Sequence, residues 1–246
     1  MTLRVAFPRP LMLIVKCNGR LRLITLTATL VAAILVGCNQ EFPASSAQLK
    51  AAEDAHNPET LAQSLRDIET WHIKHKTGLA DSFRDGISMS SIEAAFPEEE
   101  CNPNDELKMM WSWRNGEQSS VPFIWYHDFL SMEEAKSEYK WLLLNPLITW
   151  DPNYIPVFTF EGEWYAVYCG AESKSAGPIV HFFLEAGPRV TYTNITTFLS
   201  TMAEALNSGT VSWQNGAMIE DINKMYRIHQ KYNNGLEFPY YVPKDT

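Results

Sequence analysis

The chain has 246 residues, enough for one domain plus a leader or for two small domains. It carries 20 Lys and Arg against 29 Asp and Glu, a formal net charge of −9, with 46% hydrophobic residues. That composition excludes a collagen-like or low-complexity chain, and an acidic surface of this kind attracts neither nucleic acid nor anionic lipid.

The first 37 residues differ from the rest. They contain Arg4, Arg9, Lys16, Arg20 and Arg22 and no acidic residue, and an uncharged run of 14 residues follows from Leu23 to Val36. A membrane span needs about 20 apolar residues, so this run is too short. A basic stretch, a short apolar stretch and small residues at the end read as a secretory signal over 1–37, with Met12 as a second candidate start. Its end, Leu35-Val36-Gly37-Cys38, resembles the lipobox of bacterial lipoproteins. The thiol of Cys38 can take a diacylglycerol as a thioether, and small Gly37 leaves the peptide bond open to a membrane peptidase. The freed amine of Cys38 can then be acylated. Each buried methylene contributes about 0.8 kcal/mol, so two or more chains hold a protein to a membrane. The competing readings are an uncleaved signal anchor and an ordinary signal with a stray Cys. The place of Cys38 at the end of the apolar run favours lipidation.

Asn39, not Asp, follows the lipidated position. In the sorting logic of Gram-negative cells that favours the outer membrane over the inner. Cleavage before Cys38 removes five of the 20 basic residues and leaves 15 against 29 acidic, a net charge of −14. Solubility is the ordinary reason for such acidity, and attraction of a basic protein partner is the other. Cys17 falls in the leader and Cys38 in the lipobox, which leaves Cys101 and Cys169. An exported pair can form a disulfide, or it can stay as two buried thiols. No CxxC or Cys/His spacing suggests a metal.

Residues 39–48 read as a flexible tether within a lipidated N-terminal segment, 38–56, that precedes a domain over 57–246. Asn57-Pro58 reads as a helix start, with Leu61, Leu65 and Ile68 on one face and Gly78 at the end. A second helix is predicted from Ser90-Ser91, with Ile92 and Phe96 on one face. A third runs from Asp105 to Trp113, with Leu107, Met110 and Trp111 inward and Arg114-Asn115-Gly116 as its cap. Val121–Tyr126 reads as a strand, and Ser131 starts a helix. Ile155–Phe160 and Trp164–Tyr168, joined by Glu161-Gly162-Glu163, read as a hairpin. Ile179–Leu184 and Arg189–Tyr192 read as strands. Thr196–Asn207 and Met218–Lys231 read as helices, the last ending near Gly235. Helices, then strands, then helices predict an α+β fold, a single domain whose mostly antiparallel sheet is covered by helices.

Two stretches resemble the SUKH superfamily, the Smi/Knr type of cell-wall-assembly-regulator domain. One is Gly86-Ile87-Ser88 through Gly116, closing on Trp111-Ser112-Trp113-Arg114-Asn115-Gly116. The other starts at Tyr154-Ile155-Pro156-Val157-Phe158 and continues through Gly177-Pro178-Ile179-Val180 to Thr197-Phe198-Leu199. Many members carry an acidic residue after the second hairpin strand, where this chain has Tyr168-Cys169-Gly170. The family's Leu-Pro before the third helix is Asn102-Pro103 here. The resemblance implies one α+β domain without catalytic machinery. Bacterial members are often immunity proteins that neutralise toxins, and fungal members are interaction hubs in cell-wall regulation.

No nucleophile elbow, metalloprotease motif or phosphate loop occurs, so no catalytic residue and no cofactor is nominated. His72 and His75 lie three apart beside Lys74 and Lys76, which reads as a solvated face rather than a metal site. Glu98-Glu99-Glu100 reads as solvated too. Aromatic residues gather around the expected sheet, with Trp164, Ala166 and Tyr168 on one face and Tyr165 and Val167 on the other. Each taken singly reads as core. An open face would present Tyr154, Trp164, Tyr165 and Tyr168 to a partner, and a basic protein toxin fits the charge. The expected function is thus a lipid-anchored binding module of immunity type. An envelope-maintenance lipoprotein without a toxin partner is the alternative.

Overall fold

In the computed structural model, which describes residues 11–17, 20–26, 44–96, 101–118, 121–123, 126–184 and 186–240, the chain divides into units Met1–Glu41 and Phe42–Thr246. Within the first unit, β1 (Leu11–Cys17) and β2 (Arg20–Leu26) form an antiparallel hairpin. Gly37 and Cys38 lie outside the described residues, as do Trp125 and the acidic run 98–100.

The second unit begins with α1 (Ser46–Asp54), started by a capping box between Ser45 and Gln48. Residues 46–54, expected to belong to a tether, are therefore helical. In α2 (Pro58–His75) the Asn57 side chain accepts from the Thr60 N–H, and Leu61, Leu65 and Ile68 are buried as expected. The helix stops at Lys76, in the left-handed conformation, two residues before Gly78. The short α3 (Leu79–Ser82) and β3 (Phe83–Asp85) follow. Next comes α4 (Met89–Ala95), which buries Ile92. Asn104 caps α5 (Asp105–Trp113), which buries Leu107, Met110 and Trp111.

Arg114-Asn115-Gly116, expected as a helix cap, is instead part of β4 (Arg114–Glu117), paired with β3. Side chains explain the difference. The Asn115 carbonyl oxygen accepts from the Met132 N–H at 2.8 Å, and Gly116 adopts φ +79 where a Cβ would strike the Ser131 backbone. Asn115 and Gly116 thus dock the start of α6 (Met132–Leu144), whose N-cap is Ser131. The expected strand at Val121–Tyr126 is absent among the described residues 121–123. Pro122 has no N–H, and the Phe123 N–H is spent on the Glu117 carboxylate at 3.2 Å. The strand starts later, as β5 (Asp128–Phe129).

The central sheet is antiparallel, in the order β5-β6-β7-β8-β9, with β6 (Tyr154–Phe160), β7 (Glu163–Tyr168), β8 (Ile179–Phe183) and β9 (Gly187–Tyr192). Glu161 and Gly162 both have positive φ, 40° and 92°, which is the two-residue turn that suits a right-twisted hairpin. Cys101 and Cys169 are joined as a disulfide, Cα atoms 5.2 Å apart, which ties the chain before α5 to the end of β7.

Both faces of the sheet are covered. Trp164 and Phe182 on one face meet Trp150 and α6, where the Trp164 indole N–H donates to Glu138 at 2.9 Å. On the other face, Phe158, Tyr165 and Tyr192 meet Phe198 of α7 (Ile195–Asn207). Behind α7 lies α2, where Ser64 and Ser200 are hydrogen-bonded at 3.3 Å. Tyr154, Trp164, Tyr165 and Tyr168 are consequently all buried, Tyr165 completely. This corrects the expectation of an open aromatic face on the hairpin: helices on both sides leave none.

The chain closes with β10 (Val211–Gln214), β11 (Ala217–Glu220) and α8 (Ile222–Tyr232). Met218–Glu220, expected as the start of a helix, is a strand, because Asn215-Gly216 turns the chain back on Val211–Gln214. The helix begins only after Asp221, whose side chain accepts from the Lys224 N–H. The architecture is a single α+β domain with an antiparallel sheet between helices.

Candidate functional site

Strand alternation brings three ligand-type side chains together. Glu163 opens β7, and Tyr165 lies two residues on, hence on the same face. His181 is the cross-strand partner of Tyr165 on β8. His127 immediately precedes β5. The ring of Tyr165 packs against both imidazoles, each centroid at 4.8 Å, and the imidazoles meet edge to face at 6.2 Å. Its hydroxyl is 2.9 Å from that of Tyr240, which belongs to the segment after α8.

Both imidazoles address one carboxylate oxygen. Nε2 of His181 is 3.1 Å from Oε2 of Glu163, and Nε2 of His127 is 3.6 Å from the same atom. The ligand atoms of all three residues lie within 4.8 Å of one another. The second distance is that of an ion pair and too long for a hydrogen bond. Accordingly both ring nitrogens of His127, a residue only 1% exposed, have no hydrogen-bond partner among the described residues. Glu163 is 26% exposed and forms the open side of the cluster.

The electrostatics keep this carboxyl charged. His127 and His181 beside it hold the Glu163 carboxyl below the usual range, against its partial burial. Burial pushes the His181 imidazole down, against the pull of Glu163, so His181 is neutral at pH 7. Arg189, the cross-strand partner of His181 on β9, is bound to Glu237 at 2.7 Å. The site is a two-His, one-carboxylate set with one open side, an arrangement able to hold a transition metal or to relay a proton.

Of the residues singled out in the sequence, only Tyr165 reaches this cluster, as its wall. Trp164 faces the other side of the sheet. Tyr154 and Tyr168 pair at the far end of the hairpin, ring centroids 5.3 Å apart, and the Tyr168 hydroxyl donates to Glu172 at 2.7 Å. His72 is buried instead of solvated. It bonds Thr77 at 2.8 Å, and burial, with His75 nearby, pushes its pKa down to about 4. The His75 ring stacks on Trp71 and donates to the Trp71 carbonyl. The sequence reading missed the cluster because 36 and 18 residues separate its members. The available signal was register: Glu163 and Tyr165 on one strand, and a His on the next.

A second feature is an apolar ledge at the end of α6. Trp141, Leu143, Leu144 and Leu147 are exposed within seven residues, with Leu144 at 82% and Leu147 at 91%. Apolar cavity space elsewhere, between Ile68, Met202, Leu206 and Met218, amounts to about 20 Å³, room for a water-sized sphere. No family model matches the chain, and no curated protein matches it in sequence.

Proposed function

We propose that the chain is a lipid-anchored protein-binding module of the bacterial cell envelope, of the toxin-immunity kind in the SUKH superfamily. The observation that carries this reading is the exposed apolar ledge Trp141-Leu143-Leu144-Leu147 on a domain whose mature charge is −14. An apolar patch on a net acidic domain suits a basic protein with an apolar anchor of its own. The lipobox ending in Cys38 supports the anchor. The α+β architecture agrees with the family resemblance, whose closing Asn115-Gly116 has a structural role in docking α6. No helix among the described residues is long and apolar enough to cross a membrane.

The test is a pull-down with the full chain in detergent against proteins of competing cells, followed by a growth assay with and without its gene. A basic partner that binds, and that kills cells lacking the gene, supports immunity. A second reading, envelope maintenance without a toxin, is favoured by the outward-facing anchor, since many toxins countered by this superfamily are cytosolic nucleases. A cell-envelope partner with no killing favours that second reading, and no partner at all removes both.

A further inference from the structure

We propose that His127, Glu163 and His181 bind one divalent transition-metal ion of the zinc class. The proposal stands apart from the protein-binding reading and does not rest on it.

Ligand type comes first. Two imidazoles and one carboxylate are a set that zinc and its neighbours accept, at bonds of about 2.0–2.2 Å. Four ligands at such distances around a tetrahedral ion lie about 3.3 Å from one another. The separations of the two imidazole nitrogens from the Glu163 oxygen, 3.1 Å and 3.6 Å, bracket that value. The fold therefore already holds Glu163 near the required spacing from each histidine, with all three ligand atoms within 4.8 Å of one another, and an ion entering from the Glu163 side would draw them together.

Burial supplies an independent reason. A polar side chain hidden from water ordinarily has hydrogen-bond partners, and leaving one unmade costs about 1–3 kcal/mol. His127 is 1% exposed, and neither ring nitrogen makes a hydrogen bond among the described residues. Its Nε2 points at Glu163 from too far for a hydrogen bond and close enough to share an ion with it. A metal bond would satisfy that nitrogen.

Charge agrees. Glu163 is the one acidic group of the set, with a formal charge of −1, and Arg189, cross-strand from His181, is engaged by Glu237. A divalent ion would offset this charge in a site of reduced dielectric. Tyr165 forms the wall: it packs against both imidazoles, is completely buried, and its hydroxyl is hydrogen-bonded to that of Tyr240. Three protein ligands leave a fourth position, on the exposed side of Glu163, for water or a group from outside.

The test uses the untagged full chain in detergent, stripped with a chelator. Zn²⁺ is titrated by calorimetry and Co²⁺ by visible absorption, which reports four-coordinate geometry. The wild type is expected to bind one ion per chain, to give a four-coordinate Co²⁺ spectrum, and to melt at higher temperature with Zn²⁺. Glu163→Gln and His181→Gln should each weaken binding at least tenfold and lose the spectrum, while far-ultraviolet circular dichroism stays as in the wild type. Because Glu163 is partly exposed, Glu163→Gln keeps the test decisive if His181→Gln fails to fold. Absence of binding by the wild type, or equal binding by wild type and Glu163→Gln, overturns the proposal.

Discussion

The hydroxyl of Thr196 donates to Oε1 of Glu106 at 2.5 Å, linking residues 90 apart in sequence at the start of α7. The Ile195 N–H donates to the other oxygen, Oε2, at 2.8 Å, and His56 approaches Oε1 at 3.1 Å. The first N–H groups of a helix lack partners within it, and its N-terminus carries partial positive charge. Glu106, fully buried, supplies the acceptor from α5. Burial pushes its pKa up, and the bonds from Thr196, His56 and Ile195 oppose that rise. Glu106→Ala is expected to lower unfolding free energy by about 3 kcal/mol, because it leaves buried donors without acceptors. Glu106→Gln, which keeps one carbonyl oxygen, should cost less. Urea denaturation of both variants decides it, and an Ala variant as stable as wild type would show that the carboxyl is dispensable.

The Cys101–Cys169 bond closes a sequence separation of 68 residues. In the chain-entropy model a loop of that size stabilises the fold by about 4 kcal/mol. Cys101→Ala/Cys169→Ala should therefore unfold at distinctly lower denaturant than wild type, and reductant should shift the wild type towards the variant. Mass spectrometry of the unreduced protein gives a direct check: two alkylatable thiols here in a folded sample would remove the assignment.

Glu117 is a buried carboxyl whose Oε2 has no hydrogen-bond partner among the described residues. Burial pushes its pKa up to about 9, with Asp128 adding to the rise and the Phe129 and Phe123 N–H groups and Arg84 opposing it. A carboxyl with a folded pKa above its unfolded value favours the fold fully below the unfolded pKa. That contribution is lost as pH rises towards the folded pKa, so here it falls between about 4.5 and 9. At pH 7 the loss is on the order of 3 kcal/mol. Glu117→Gln should consequently match wild type near pH 4 and exceed it at pH 8. Denaturation midpoints across that range measure it, and parallel pH profiles for the two proteins would contradict the burial argument.

Local signals were legible in the sequence wherever a short stretch decides its own conformation. Asn57-Pro58, Ser131 and the Glu161-Gly162 turn set elements that appear where expected. Asn215-Gly216 is an equally strong turn signal, and it prevails over the helical spacing from Met218. What the sequence could not show depends on distant partners. Gly116 is needed because Ser131 lies against it, and the strand expected at Val121–Tyr126 loses the Phe123 N–H to Glu117. Whether the aromatic hairpin is open or covered depends on where α6 and α7 settle, and alternation alone cannot decide that. The His127–Glu163–His181 cluster is of the same kind, assembled by sheet order from residues with no common motif.

Cys38→Ala tests the anchor. The thiol of Cys38 is the only one in the lipobox, so its loss should abolish lipid attachment and move the protein from the membrane pellet to the soluble fraction. Uptake of labelled fatty acid by the variant, together with continued pelleting, would show that attachment depends on something else.

Burial now separates two sets of substitutions that the sequence alone would have pooled as one binding face. Trp164 and Tyr165 lie inside the sheet-helix layers, so Trp164→Ala and Tyr165→Ala should each cost about 3–5 kcal/mol of stability through lost contacts and cavities. Any loss of partner binding in them would follow from loss of the fold. Leu144 and Leu147, by contrast, are mostly in water. Leu144→Glu/Leu147→Glu should change stability by no more than about 1 kcal/mol, since surface substitutions usually fall within about 0.5 kcal/mol each. If the ledge is the anchor for a basic partner, the same double variant should weaken that partner at least tenfold, mainly by faster dissociation, because apolar burial at the interface centre sets the off-rate. Added salt should slow association of the wild type, as expected for an acidic domain meeting a basic protein. Surface plasmon resonance with wild type, the double variant and Trp164→Ala, each first checked for cooperative unfolding, separates the outcomes. A folded double variant that keeps full affinity would rule out the ledge and move the search to another face.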